Sequence, residues 1–267
     1  MTQAAPGRTA DEVDPRPVVR HERLHAGRVF DLVRDDVDLG AAGTVTREYL
    51  DHPGAVAIVA LDDADRVLLL RQYRHPVRGF LWEVPAGLLD VDGEHPQAAA
   101  ARELAEEADL TAARWDVLVD FATSPGASNE SLRVFLARDL GRVPEHERHV
   151  RTGEEADMVE RWVPLEEAVA LVLDGSLHNP SAVVGILAAA ASRRRAVALP
   201  PGRPAHGRGG RHGRAVGAAR GGARPRAWAG PAHTPGRHPG GGSRAGGWAS
   251  LRPVDAPWPY RRGALPA

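Results

Sequence analysis

The sequence predicts an α/β fold, a sandwich of sheet and helices, and three observations carry that prediction. The first half of the chain is a succession of β-branched runs separated by Gly, Asp or Pro. One strong helical segment stands in the middle, and two more close the folded part. At 267 residues and 43% hydrophobic content there is enough apolar surface for one sizeable core.

Taken in order, residues 1–20 lack periodicity and read as a mobile arm. Strand-like runs follow at 28–39, 44–50, 55–61, 67–73 and 80–84. The stretch PQAAAARELAEEA, residues 96–108, is the best helix: proline opens it, four alanines follow, and Leu104 is spaced to face a core. Further strands are expected at 115–122, 132–137 and 158–163, then helices at 165–174 and 181–195. The main domain is therefore assigned to residues 21–195.

Beyond it the composition changes. Residues 196–267 hold twelve arginines against the single acid Asp255, while the preceding chain holds 22 arginines against 34 acids, so a net charge of −1 hides an acidic body and a basic tail. Residues 196–246 are Gly, Pro, Arg and Ala with almost no large apolar side chain. They can bury too little surface to offset chain entropy and are expected to be disordered. Residues 247–267 regain Trp248, Leu251, Trp258 and Tyr260 and are expected to dock. The absence of cysteine excludes disulfides, thiolate metal sites and a cysteine nucleophile. No stretch approaches the ~20 apolar residues of a membrane span, which predicts a soluble, cytoplasmic protein with no membrane partner.

The chemistry concentrates in residues 82–110, WEVPAGLLDVDGEHPQAAAARELAEEADL. On a helix Glu103, Glu106 and Glu107 fall at i, i+3 and i+4, three carboxylates on one face. Their repulsion, roughly 0.2 to 0.5 kcal/mol per pair, calls for compensation, and a divalent cation is the strongest candidate because magnesium and manganese prefer carboxylate oxygen. A solvated acidic face is the alternative.

The spacing resembles the Nudix box: Gly87, Glu94, Arg102, Glu103, Leu104, Glu106, Glu107 and Leu110 match its pattern. Six residues rather than five separate Gly87 from Glu94, and Asp109 stands where the family has glycine, at the end of a helix where a left-handed conformation is expected. The resemblance implies an α/β/α sandwich with a mixed β-sheet, preceded by a small N-terminal β-rich segment, and hydrolysis of a nucleoside diphosphate derivative. It makes Glu103 and Glu107 the main ligands of Mg2+ (or Mn2+), with Glu106 and the Ala86 carbonyl assisting, and pairs Glu94 with Arg102 as the buried link between helix and loop.

The flanking segments HPGAVAIVAL, LLLRQYRHPV and FATSPGASNESLRVFLA, with Pro125 fifteen residues beyond Leu110, resemble the ADP-ribose pyrophosphatase branch in its actinobacterial form. That branch implies ADP-ribose or a similar nucleoside diphosphate as substrate, and a homodimer. Arg71 and Arg74 precede the box where a guanidinium could meet phosphate, Arg74 above all. Arg47 and Glu83 are further substrate-binding candidates, and Glu130 could reach the terminal ribose. In the second acidic cluster, residues 153–157, the resemblance places the catalytic base at Glu154, with Glu155 the close second.

Two other readings stand beside this one. GRGGRHGR and ARGGARPR in the tail resemble RGG-like segments that attract nucleic-acid backbones, but they carry no aromatic residue within the arginine runs, so a passive linker or an out-of-frame product is preferred and no nucleic-acid partner is expected. A domain that binds ADP-ribose without cutting it would be expected to lose box glutamates, and this chain keeps them.

Overall fold

The computed structural model describes residues 9–151, 158–198 and 254–255. Ten strands and three α-helices are placed among them. In chain order they are β1 (Val18–Ala26), β2 (Asp31–Asp38), β3 (Thr44–Asp51), β4 (Ala55–Ala60), β5 (Arg66–Arg74), β6 (Gly79–Glu83), β7 (Ala86–Leu88), α1 (Pro96–Ala108), β8 (Leu110–Ala122), β9 (Ser131–Arg142), β10 (Val159–Pro164), α2 (Leu165–Leu173) and α3 (Pro180–Ala198).

The run AVAIVA of β4 is apolar at every position because both of its faces are covered. β4 lies inside a four-stranded sheet of order β7-β4-β9-β8, parallel to β9 and antiparallel to β7. Strict alternation divides its side chains. Val56, Ile58 and Ala60 pack with Ala99, Ala100, Leu104 and Ala108 of α1. Ala57 and Val59 pack with Leu165 and Ala168 of α2 and with Ala182 and Ile186 of α3. A second sheet, β10-β5-β6, supplies Leu68 and Leu70 to the first layer and Val67 and Leu69 to the second. The result is the expected α/β/α sandwich on a mixed sheet. Small residues set its thickness: a Cβ on Gly185 of α3 would lie 2.8 Å from Val59 Cγ2.

The preceding β-segment is a three-stranded antiparallel sheet, β1-β2-β3. It joins the sandwich where Leu50 of β3 exchanges backbone hydrogen bonds with the 123–131 loop, Leu50 N–H to Ala127 O at 3.0 Å and Asn129 N–H to Leu50 O at 3.2 Å. β1 corrects the expected arm of residues 1–20: the strand starts at Val18. Its mostly exposed sequence shows no alternation and is ordered by pairing with β2. Residues 28–30 precede β2 instead of belonging to it. β7 was not expected, and β8 and β9 run longer than expected, because residues 110–114 continue the antiparallel ladder with residues 138–142. Most of the 196–246 stretch and of the 247–267 segment lies outside the described residues, although α3 continues to Ala198. Val254 packs on the α1 side of the core, and the Asp255 carboxylate is 3.7 Å from His95 Nε2.

One polar pair interrupts the α1 face of the sheet. Gly87, Val56, Arg133 and Asp120 form one register row across β7, β4, β9 and β8. Within it the Arg133 Nε–H donates to Asp120 Oδ1 at 2.8 Å and an Nη2–H donates to Oδ2 at 3.1 Å, with both side chains no more than 4% exposed. Asp120→Ala is expected to lower stability by about 3–5 kcal/mol, because it removes the carboxylate that accepts two hydrogen bonds from a buried guanidinium, and adding Arg133→Met is expected to recover most of the loss. Urea denaturation of the two variants checks this; a double variant no more stable than the single one would contradict it.

Candidate active site

Helix α1 begins where the sequence predicts. Pro96 sits in its first turn and His95 Nδ1 accepts the Gln97 N–H at 3.3 Å. With Ala99, Ala100, Leu104 and Ala108 turned to the sheet, helical spacing brings Arg102, Glu103, Glu106 and Glu107 along one flank, over the chain reversal that carries Ala86 and Gly87.

The register of β7 sets what that reversal offers. Ile58 N–H donates to Pro85 O at 2.8 Å and Leu89 N–H to Gly54 O at 3.0 Å. By antiparallel alternation Ala86, opposite Ala57, turns its N–H and C=O away from β4. The N–H is taken by Glu107 Oε2 at 2.9 Å, so a buried carboxylate is fixed against the strand, and the Ala86 carbonyl shares that outer edge. Gly87 follows for a steric reason: a Cβ there would fall on the Glu103 carboxylate.

Arg102 holds the cluster together. Its Nε–H and Nη2–H donate to the two oxygens of Glu94 at 3.2 and 3.1 Å, which ties α1 to the loop before it. Nη1 reaches Glu103 Oε1 at 2.6 Å and Glu106 Oε2 at 3.4 Å. The pair with Glu94 is partly exposed, 32% for Arg102 and 16% for Glu94, rather than fully buried. Hydrogen bonding to Glu94 raises the Arg102 pKa above its ordinary value against the opposing effect of desolvation, and Glu103 adds to the rise. The guanidinium is thus a fixed positive charge among three carboxylates.

Among the described residues no three His, Asp or Glu side chains already converge as a metal cage. The donor set nevertheless fits a hard divalent cation. Glu103 and Glu106 both lie within 3.4 Å of one cationic nitrogen, so they can close on a single positive centre, and Glu107 and the Ala86 carbonyl add oxygen donors beside it.

Asp109 adopts the left-handed conformation that glycine was expected to supply, with φ 53° and ψ 33°. Its carboxylate receives the Arg151 Nη2–H at 2.9 Å. The substitution therefore leaves the helix end intact.

The other expected site residues separate into two places. Arg74 and Glu83 join the box. The Arg74 Nε–H and Nη2–H donate to the Glu83 oxygens at 2.9 and 2.6 Å, and the pair lines a small cleft with Gln72, Ala86 and Glu107. That edge of the Arg74 fork is engaged by Glu83, which fixes the orientation of the guanidinium. Arg71 does not join them. Three residues from Arg74 on a strand, it lies on the opposite face, 4.2 Å over the Phe80 ring.

Arg47 lines a second, larger cleft of about 600 Å³ between β2, β3 and the loop after β8, together with Asp35, Tyr49, Pro125 and Asn129. Glu130 belongs to that loop, where it accepts the Thr123 hydroxyl at 2.6 Å and lies 3.7 Å from His52 Nε2. Glu154 and Glu155 lie outside the described residues.

Sequence reasoning missed Gln72, Asp35 and Tyr49. The signal for Gln72 was its shared strand parity with Arg74. Asp35 has the parity of buried Val33, and its carboxylate is held by the Tyr49 hydroxyl at 2.9 Å and by His21 Nδ1 at 2.6 Å, contacts that only the folded β-segment creates.

A family model of the NUDIX domain matches residues 51–182. The chain is 51% identical over 170 residues to an ADP-ribose pyrophosphatase of Mycobacterium tuberculosis, an alignment covering 64% of this chain and 81% of that protein. It is 36% identical over 168 residues to an ADP-ribose pyrophosphatase of Bacillus subtilis, covering 63% and 89%. It is also 33% identical to a methanol dehydrogenase activator of Bacillus methanolicus, with the same coverage. Among solved structures, an ADP compounds hydrolase superposes with a TM-score of 0.58 at 20% identity, over 70% of this chain and 98% of that one, a likeness of fold.

The contact of Gly87 with Glu103 yields a direct expectation. Gly87→Ala should fold with a loss of no more than about 1–3 kcal/mol, since only the end of a flexible side chain must yield, but its crystal structure should show Glu103 displaced from Arg102. An unmoved Glu103 would contradict the assignment of Gly87 as the seat of that carboxylate.

Proposed function

This chain belongs to the Nudix family, and from that premise we infer that it hydrolyses the pyrophosphate bond of ADP-ribose, releasing AMP and ribose 5-phosphate. The observation that carries the reading is the cluster in which Arg102 holds Glu103 and Glu106 while the Ala86 N–H holds Glu107 at the Ala86–Gly87 reversal. The 51% identity to an ADP-ribose pyrophosphatase supports the substrate.

We propose that Glu103, Glu106, Glu107 and the Ala86 carbonyl hold magnesium, with manganese able to replace it. A divalent cation bound there supplies charge neutralisation on the diphosphate and acidifies water. The protein's own groups do the rest. Arg74, oriented by Glu83, faces the cleft beside Glu107 and offers positive charge to the phosphates. Glu154, or Glu155 in its place, takes the proton of the attacking water. Oxygen adds to one phosphorus as the bridging P–O bond breaks, and no covalent enzyme intermediate forms.

Arg47 is proposed to contact the nucleoside from the second cleft, and Glu130, on the loop that borders it, to reach the terminal ribose. The exposed apolar residues Val18, Val19, Val29 and Phe30 on and beside β1 support a homodimer through the N-terminal sheet. No helix among the described residues is long and apolar enough to cross a membrane, and we propose a cytoplasmic enzyme.

The test is product analysis with magnesium on ADP-ribose, other ADP-sugars, NADH and diadenosine polyphosphates. ADP-ribose is expected to give AMP and ribose 5-phosphate with the highest kcat/KM, and preference for another member of the panel would redirect the assignment. Glu107→Gln keeps an acceptor for the Ala86 N–H and loses the charge, so activity should fall by ~10³ or more. Glu154→Gln should lower kcat by roughly 10² to 10⁴ with substrate binding nearly intact, unless Glu155 substitutes for it. Full activity of Glu107→Gln at limiting magnesium would refute the metal assignment, and activity in both Glu154→Gln and Glu155→Gln would place the base elsewhere.

A further inference from the structure

The last turn of α1 carries Glu106 and Glu107, and helix ends are where backbone order is hardest to keep, because the final carbonyls lack intrahelical donors. In this chain one arginine from a distant segment closes that turn. The Arg151 Nε–H donates to the Glu106 carbonyl at 3.1 Å, and an Nη2–H donates to Asp109 Oδ2 at 2.9 Å. Nη1 lies 3.6 Å from Glu160 Oε1 on β10. A positive charge at a helix C-terminus is favoured by the helix dipole as well.

Asp109 is the second half of the device. Its N–H donates to Ala105 O at 3.1 Å, and its carbonyl accepts the Val143 N–H at 2.9 Å from the chain just past β9. Its carboxylate is four-fifths buried beside Arg151, and Oδ1 has no hydrogen-bond partner among the described residues. Glycine would provide the left-handed backbone without strain and without a stranded buried oxygen. Aspartate adds what glycine cannot, a tether from the helix end through Arg151 to β10.

We propose that Asp109 and Arg151 are positioning residues for the cation site, a clamp that keeps Glu106 and Glu107 aimed at the Ala86–Gly87 reversal. The inference rests on the metal-dependent reading above. Neither residue touches the reacting atoms: Arg151 acts on the carbonyl of Glu106, and Asp109 acts on Arg151. Lysine cannot replace Arg151, because a point charge does not span three acceptors as a planar fork does.

The experiment is titration of Mn2+ into wild type, Asp109→Gly, Arg151→Gln and Arg151→Lys, with unbound Mn2+ read by electron paramagnetic resonance. Thermal melts and ADP-ribose kinetics at saturating Mn2+ accompany it. Asp109→Gly puts the family residue back, so it should fold with a Tm within a few degrees of wild type while losing Mn2+ affinity about tenfold, the usual scale when a group that orients metal ligands is removed. Arg151→Gln should lose a similar factor and Arg151→Lys should not restore it. In all three kcat should fall severalfold with KM for ADP-ribose within about twofold of wild type.

Wild-type Mn2+ affinity in Asp109→Gly and Arg151→Gln, or a drop in Tm alone with unchanged Mn2+ binding, would overturn the clamp while leaving the functional reading in place. A wild-type protein that neither binds Mn2+ nor cleaves ADP-ribose would overturn both.

Discussion

The arrangement of the site depends on one guanidinium. Three carboxylates from a helix and its preceding loop would repel one another if left together, and Arg102 contacts all three at once. Two of its nitrogens are committed to Glu94, so the third is fixed in position and not merely nearby. Glu103 and Glu106 are drawn to that nitrogen from adjacent turns of α1. The raised pKa of Arg102 expresses the same balance: hydrogen bonding to Glu94 outweighs the cost of removing the guanidinium from water. A loop, a helix and a negative face are joined by one side chain.

The sheet supplies the other half of the constraint. β7 is a three-residue edge strand, and edge strands have one backbone rim without a neighbour. Its register puts Ala86 out of hydrogen bonding with β4, and Glu107 occupies the exposed N–H. The same short strand places Gly87 under Glu103, where any side chain would collide. The neighbouring β5–β6 hairpin brings Arg74 and Glu83 to the rim of the same cleft, which Gln72, of the same strand parity as Arg74, also lines. The carboxylate face of α1 is thus framed by a backbone edge, a missing Cβ and a hairpin rim, all drawn from the segment between Arg74 and Glu107.

What was legible in the sequence is what local physics determines. The bounds of α1 are those read from Pro96, the alanine run and the spacing of Leu104, and the doubly buried β4 shows as an unbroken apolar run. The Glu94–Arg102 link lies within one short motif and was read from it, whereas the seating of Glu107 on the Ala86 N–H was not. Features fixed by distant partners were not legible. β1 is ordered through pairing with β2, and β7 through its register on β4. Arg151 reaches Asp109 across 42 residues, with nothing in its own neighbourhood to announce it. Arg71 and Arg74 differ in strand parity, which puts them on opposite faces of β5, and that parity was available from the numbering. The placement of Arg47 in a second cleft, bordered by the loop that carries Glu130, follows from the docking of β3 on that loop, a contact between segments 78 residues apart.

The central claim is that the α1 carboxylates, organised by Arg102, form a divalent-cation site. Anomalous diffraction from crystals of the protein grown with Mn2+ tests it most directly. The predicted result is a manganese peak bounded by Glu103, Glu106, Glu107 and the Ala86 carbonyl; crystals that contain Mn2+ elsewhere, or no peak at this face, would contradict the account.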